Sequence, residues 1–326
     1  MSEPDPAAAF AVQPEVRGPW RRYLDSLAPL RPTLHRYCCR LAGNVWDGED
    51  LAQDTLGRVF GLLGKVDAEL RDPRAYLMRT ATHLWIDRMR RRTRERDLLA
   101  AEHAEERQWH AGEDLAERAA VREAAGSLLA RLAPRERAAV LLKDVFDLSL
   151  EETAGILKTS VGAVKAALHR GRGRLEGADR DTPAAGPPPP LELVDRFVAA
   201  LAARDLEALR ALCSEDLTVE LVGGAELETF AGSRSFFEHA HLVLPQLDFG
   251  EHPNWHAAVY QGEPLVLGFR TLDGVEGLNE VHRIEASDGA ITRVRCYCFC
   301  PDTLRLVAEH LGLRALPRPY RSPSPA

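Results

Sequence analysis

Residues 148–175 read LSLEETAGILKTSVGAVKAALHRGRGRL, and this stretch decides the fold of the first half of the chain. Ser149 with Glu152 three residues later is a capping box: the hydroxyl accepts the backbone N–H of position 152 and the carboxylate reaches back. Leu150, Ala154 and Leu157 then recur on one helical face. Lys158-Thr159-Ser160 breaks the run and offers hydroxyls for a second N-cap. Val161, Val164, Leu168 and Leu175 form the apolar stripe of the next helix, whose other side carries Ser160, Lys165, His169, Arg170, Arg172 and Arg174. Small residues (Gly162, Ala163, Ala166, Ala167) keep that helix slim enough for a DNA major groove. Two helices with a tight joint, the second slim and basic, read as a helix-turn-helix with its recognition helix. The alternative is a pair of ordinary amphipathic helices with a solvated basic face.

Working outward, Ala133-Pro134-Arg135-Glu136-Arg137 puts a proline at the start of a helix with Val140, Leu141, Val145 and Phe146 inside. Residues 97–126 are rich in Glu, Ala and Arg without an apolar period and read as a linker. Before them, AYLMRTATHLWIDRMRRRTRER predicts one long helix with Leu77, Ala81, Leu84, Ile86 and Met89 buried. Its exposed face interleaves Arg79, His83, Trp85, Arg88, Arg91 and Arg92, a composition that holds single-stranded nucleic acid by phosphate contacts and base stacking. The competing reading makes Trp85 core and the arginines a solvated helix end. Asp47, Glu49, Asp50 and Asp54, with Gln53 among them, open the preceding helix, acids where the helix dipole favours them.

Charge is distributed unevenly. The net −7 over 326 residues combines a C-terminal part, 191–326, with 12 arginines, no lysine and 20 acidic residues, and a first part that is nearly neutral. Within Arg71–Arg96, nine arginines face Asp72, Asp87 and Glu95, a local +6. A clustered patch of this kind marks a nucleic-acid footprint more than the global sum does. The absence of long apolar runs, the acidic N-terminus and six cysteines without framework spacing predict a cytoplasmic protein with no membrane contact.

On DGEDLAQDTLGRVF, AYLMRTATHLWIDRMRRRTRE and LLARLAPRERAAVLLKDVFDLSLEETAGILKTSVGAVKAALHRGRGRL, the chain resembles an extracytoplasmic-function sigma factor over residues 20–178. The first pair is similar to sigma region 2 and the last to region 4. The resemblance implies two all-α domains, residues 18–96 and 127–178, flanked by a disordered 1–17 and a linker. It implies docking of Asp47, Glu49, Asp50, Gln53 and Asp54 on the β′ clamp helices of core RNA polymerase, with the β flap as a second contact. The minus-ten element would be gripped by Arg79, His83, Trp85, Arg88, Arg91 and Arg92, with Asp72 to Tyr76 helping to capture a flipped base. The minus-thirty-five element would be read by Ser160, Lys165, His169 and Arg170, with Arg172 and Arg174 on phosphates. An anti-sigma factor is a further implied partner. No cofactor, metal or catalytic residue is expected. The alternative is a free-standing helix-turn-helix regulator.

Residues 179–190 hold a proline-rich spacer, and 317–326 a tail. Between them, two amphipathic helices precede strand-like runs at Thr218–Val222, Trp255–Tyr260, Pro264–Phe269, Leu278–Ala286 and Ala290–Phe299, with Ser233 capping a short helix that carries Phe236 and Phe237. Gln261-Gly262, Asp273-Gly274 and Asp288-Gly289 mark hairpins. The order predicts an α+β cone with a curved antiparallel sheet over residues 191–316, similar to SnoaL-like domains. The resemblance implies a regulatory role, with a small-molecule ligand in the cone as one form of it. An enzymatic cone would draw on His256, Tyr260, Glu280, His282 or Tyr297. Cys296, Cys298 and Cys300 are expected on one face of the last strand as buried small residues or a thiol switch, since C-x-C-x-C within a strand is a poor match to zinc spacing. The acidic domain is also charge-complementary to Arg71–Arg96, which predicts that it shields that surface.

Overall fold

A computed structural model describes residues 27–63, 72–106, 129, 132–176, 191–222, 229–231 and 254–317. Residues 1–17, 107–126, 179–190 and 318–326, on which the terminal and linker expectations fall, lie outside the described residues, as does the helix expected at Ser233 with Phe236 and Phe237. Two compact units divide the chain, one of residues 26–186 and one containing 187–326. No described helix is long and apolar enough to cross a membrane.

The first unit is all-helical: α1 Arg31–Ala42, α2 Val45–Leu63 and α3 Pro73–Glu106, then α4 Pro134–Val140, α5 Leu150–Leu157 and α6 Val161–Glu176. Gly43, at φ 92°, ends α1 and donates its N–H to the Cys39 carbonyl at 2.8 Å. At Gly48 the backbones of α1 and α2 touch: a Cβ there would lie 2.5 Å from the Cys39 Cα. Tyr37 and Thr82 hydroxyls meet at 2.7 Å and tie α1 to α3. Asp72 caps α3, accepting the Ala75 N–H at 3.0 Å. That helix runs ten residues past the expected end at 96. Its buried apolar positions are Leu77, Met78, Ala81, Trp85 and Ile86, while Leu84 and Met89 are half-exposed. The apolar stripe is thus rotated toward the indole, the largest apolar surface available to it.

After α4 the chain widens into a π turn, Leu141–Val145. Ser149 accepts the Glu152 N–H at 3.0 Å and Glu152 accepts the Ser149 N–H at 2.7 Å, so the capping box forms. Lys158 closes α5 in the left-handed region, φ 49°, and Ser160 opens α6 by accepting the Ala163 N–H at 3.2 Å. Val164, Ala167 and Leu168 are buried, with Val161 and Leu175 at the margin.

The helix-turn-helix packs on α1–α3 through α4. Arg137 donates to the Leu41 carbonyl at 2.7 Å, and its guanidinium carbon lies 5.1 Å from the Trp85 ring centroid. Phe146 meets Tyr37 edge-on at 5.2 Å.

In the second unit α7 Leu191–Ala203 and α8 Leu206–Leu212 lead into β1 Cys213–Leu221, β2 Thr229–Ala231, β3 Asn254–Tyr260, β4 Glu263–Leu272, β5 Val275–Ser287 and β6 Ala290–Cys296, followed by α9 Pro301–Leu311. The six described strands form one sheet in the order β2-β1-β6-β5-β4-β3. Neighbours are antiparallel except β1 and β6, which are far apart in the chain and run parallel. In all three hairpins both central residues have positive φ: Gln261 51° and Gly262 82°, Asp273 51° and Gly274 75°, Asp288 53° and Gly289 79°. This is the type I′ turn that matches strand twist. Leu193, Val194, Phe197 and Ala200 of α7 cover the sheet face that carries Trp255, Val266, Ile284 and Val294.

The last strand departs from expectation. It ends at Cys296, and residues 297–300 turn toward α9, which Pro301 opens. Tyr297, Cys298, Phe299 and Cys300 are all buried, so the three thiols do not line one strand face.

Candidate nucleic-acid interface

Helix α3 divides its cations between two faces. On one, Arg79, Arg90, Arg91 and Arg94 join Arg58 of α2, Arg135 of α4 and Lys158 of the α5 cap around a cleft of about 840 Å³. Tyr76 and His83 lie among them, and Asp87 is the acid of the lining. Seven cations around one cleft make a field that concentrates anions. Burial first, and then the charge of Lys158, hold the His83 imidazole below the usual histidine range, so it is neutral near pH 7. A neutral ring beside a tyrosine suits base contact more than phosphate pairing.

On the other face, Arg88 pairs with Asp54 at 2.7 Å and Arg92 approaches Asp47 at 3.8 Å. These four residues were expected to serve two different partners, and here they meet each other across α2 and α3. Trp85 belongs to neither face. It is buried at 1% exposure under Arg137, which corrects its placement on the exposed side. The indole is large enough that packing against α4 outweighs the stripe read from helical period alone.

Glu49 is a second correction. Its carboxylate is fully buried, bound by Arg31 at 2.9 Å, His35 at 3.1 Å and the Gln53 amide at 2.5 Å, so neither Glu49 nor its partner Gln53 presents a free docking group. Asp47 and Asp50 are half-exposed and Asp54 exposed.

Ser160, Lys165, His169, Arg170, Arg172 and Arg174 all lie on the open side of α6. Three of them are held from within. Arg170 reaches Glu136 Oε1 at 2.9 Å, Arg174 the other Glu136 oxygen, and Arg172 binds Asp144 at 3.0 Å. Glu136 is buried, and its two pairs fasten α6 to α4, which approach so closely at Gly171 that a Cβ would sit 2.9 Å from Val140, while the Asp144 pair ties α6 to the π turn. Lys165 and His169 have the outward position without such a role. Arg58, Arg90, Arg94, Arg135 and Lys158 escaped the reading of the sequence, because they converge only when the two helical parts pack.

Of the polar residues considered for an enzymatic cone, Glu280 and His282 come together, while exposed His256 lies edge-on to Phe269 and Tyr260 edge-on to His310. Tyr297 accepts from Arg295 at 3.0 Å.

Comparison with known families matches residues 27–95 to sigma-70 region 2, residues 122–175 to sigma-70 region 4 and residues 194–294 to the SnoaL-like domain. The RNA polymerase sigma-E factor of Streptomyces coelicolor is 35% identical over 147 residues, 44% of this chain and 77% of the relative. The probable ECF RNA polymerase sigma factor SigI of Mycobacterium tuberculosis is 25% identical over 335 residues, 96% of this chain and 99% of the relative. Against other curated relatives the alignment spans 55% to 62% of their length. The crystal structure of SigJ of Mycobacterium tuberculosis aligns over 86% of this chain and 98% of that one, at 23% identity and a TM-score of 0.33.

Proposed function

The chain belongs to the extracytoplasmic-function sigma factors of RNA polymerase, and on that premise we propose that it binds core polymerase, reads a two-part promoter and starts transcription. The observation that carries this is the presence, in one packed unit, of a capped recognition helix with outward Lys165 and His169 and an arginine-lined cleft with Tyr76 and His83. In this reading α6 enters the major groove of the minus-thirty-five element, with Ser160 and Arg170 beside Lys165 and His169. Phosphates compete with Asp144 and Glu136 for Arg172 and Arg174. The cleft holds the melted minus-ten strand, Arg79 and Arg91 on phosphates, Tyr76 and His83 against bases. Asp47, Asp50 and Asp54 meet the polymerase, where the β′ clamp helices and β flap are the assigned contacts; Glu49 is withdrawn because it is buried.

Polymerase makes the bonds, so no residue here is given a catalytic role, and the work is done in the cytoplasm. Residues 191–316 act as a regulatory domain, and an anti-sigma factor is a further partner. Run-off transcription with core enzyme tests the whole reading. A promoter-specific transcript is expected, reduced about tenfold or more in a K165A/H169A double variant, since each such contact is worth ~1–3 kcal/mol. No specific transcript, with or without residues 191–326, sinks it. Duplex binding without any effect on polymerase makes the chain a plain regulator instead.

A further inference from the structure

The sheet of the second unit gathers three buried donors that promoter recognition leaves unused. Glu280 and His282 are two apart on β5 and share a face, and His282 lies directly across from Cys296 of β6. His282 Nε2 is 3.2 Å from Glu280 Oε2 and 3.6 Å from Cys296 Sγ, and the three donor atoms lie within 4.8 Å of one another. Exposure is 1% for Glu280, 9% for His282 and 3% for Cys296. An imidazole nitrogen carries one hydrogen at most, yet this one faces a carboxylate and a sulfur together. We propose that Glu280, His282 and Cys296 form a metal site of the zinc class, the fourth position open to water or an anion.

The two distances from His282 fit the ion. Bonds of about 2.0–2.2 Å to nitrogen and oxygen and about 2.3 Å to sulfur, arranged tetrahedrally, separate N from O by about 3.3 Å and N from S by about 3.6 Å. A mixed N, O and S set suits zinc over magnesium or calcium, which take oxygen ligands. Coordination needs the thiolate and the neutral imidazole, so uptake releases protons to solvent.

The surroundings orient the ligands. Leu278 pairs with Phe269 and Glu280 with Gly268, so Asn279 is the extra residue of a bulge. Its side-chain amide donates to Glu280 Oε1 at 3.2 Å, which leaves Oε2 toward His282. Bulges re-aim side chains in this way. Trp255 of β3 lies edge-on to His282 at 5.2 Å. It reaches that position across Gly268, where a Cβ would come within 2.6 Å of the ring. Partners of this outer kind fix ligand geometry at metal centres. Cysteine spacing could not reveal the site, because its ligands come from two strands and the thiol used is one of three.

Full-length protein stripped with a chelator and titrated with cobalt(II) tests the proposal. One cobalt per chain is expected, with a thiolate-to-cobalt charge-transfer band and the intense visible absorption of a four-coordinate ion, both displaced by zinc. C296S removes the charge-transfer band. E280Q, isosteric and with the thiol intact, weakens zinc binding by at least the ~10–100-fold that outer partners alone contribute. C213S, a cysteine of the same unit outside the cluster, changes nothing. Circular dichroism separates a lost site from a lost fold. No charge-transfer band, a band that survives in C296S or vanishes in C213S, or unchanged zinc affinity in folded E280Q overturns it.

Discussion

Each unit of the molecule sets a buried glutamate and a buried histidine against a cysteine, buried in the case of Cys296 and half-buried in the case of Cys39. In the helical unit Glu49 meets His35 at 3.1 Å, with Cys39 at 3.6 Å from the same ring nitrogen. In the sheet unit Glu280, His282 and Cys296 repeat the set at 3.2 and 3.6 Å. Electrostatics does not tell the two apart. Burial lowers both imidazoles, and the contacts with cysteine and glutamate outweigh it and lift each to about 10. One neighbour of each carboxylate differs. Glu49 binds the Arg31 guanidinium at 2.9 Å, a cation the chain itself supplies, whereas Glu280 is turned by an uncharged amide toward a point shared with nitrogen and sulfur. A built-in cation makes the first group a structural ion pair. In the second, carboxylate, imidazole and thiol donors lie within 4.8 Å of one another, where the proposal above puts the zinc.

The largest effect that can break this contrast is at Glu49. E49A removes the acid that Arg31 and His35 share, and truncating one partner of a buried pair costs about 3–5 kcal/mol. Denaturant unfolding of the helical unit should show that loss, and a cost below about 1 kcal/mol would remove the structural role. Zinc should then separate the two units. At a hundred times its dissociation constant a bound ion adds about 2.7 kcal/mol, read as roughly hundredfold slower amide exchange on β5 and β6 with α1–α3 unchanged. Equal protection in both units would erase the distinction.

A smaller effect is expected at Gly268. G268A pushes a methyl group into Trp255, an overpacking of ~1–3 kcal/mol, and should cost zinc affinity as well as stability. Lost stability with unchanged metal binding would separate the tryptophan from the site. The mildest test is pH on the helical pair. His35 is raised in the folded state, so its contribution is complete below the ordinary value near 6.5 and is lost as pH rises through about 10. The slope is at most ~1.4 kcal/mol per pH unit, and H35Q should flatten it. A wild-type slope identical to that of H35Q would show that the pair carries no proton-linked stability.

Much of the site's framework was legible because its cause is local. Ser149 with Glu152 and the three X-Gly hairpins depend on hydrogen bonds or dihedrals within four residues, so spacing alone announces them. Trp85 and Glu49 were misplaced for the opposite reason. Their neighbours, Arg137 and Arg31, are distant in sequence or on another helix, and helical period alone does not say which side a second domain will cover.

By itself, then, the amino-acid order determined the kind of protein this is: an acidic helix, an arginine-rich helix and a capped recognition helix in the order of a sigma factor, followed by an α+β domain. Only the tertiary structure decided which charges are already paired within the chain, so that a partner must compete for them. It buried Glu49, matched Arg88 and Arg92 to Asp54 and Asp47, fastened Arg170 and Arg174 to Glu136, and left Lys165, His169 and the cleft around Arg79 and His83. It also brought Glu280, His282 and Cys296 to one point. Caps and turns act over one helical turn, whereas pairing across helices and strands is set by how whole elements rotate and register against each other.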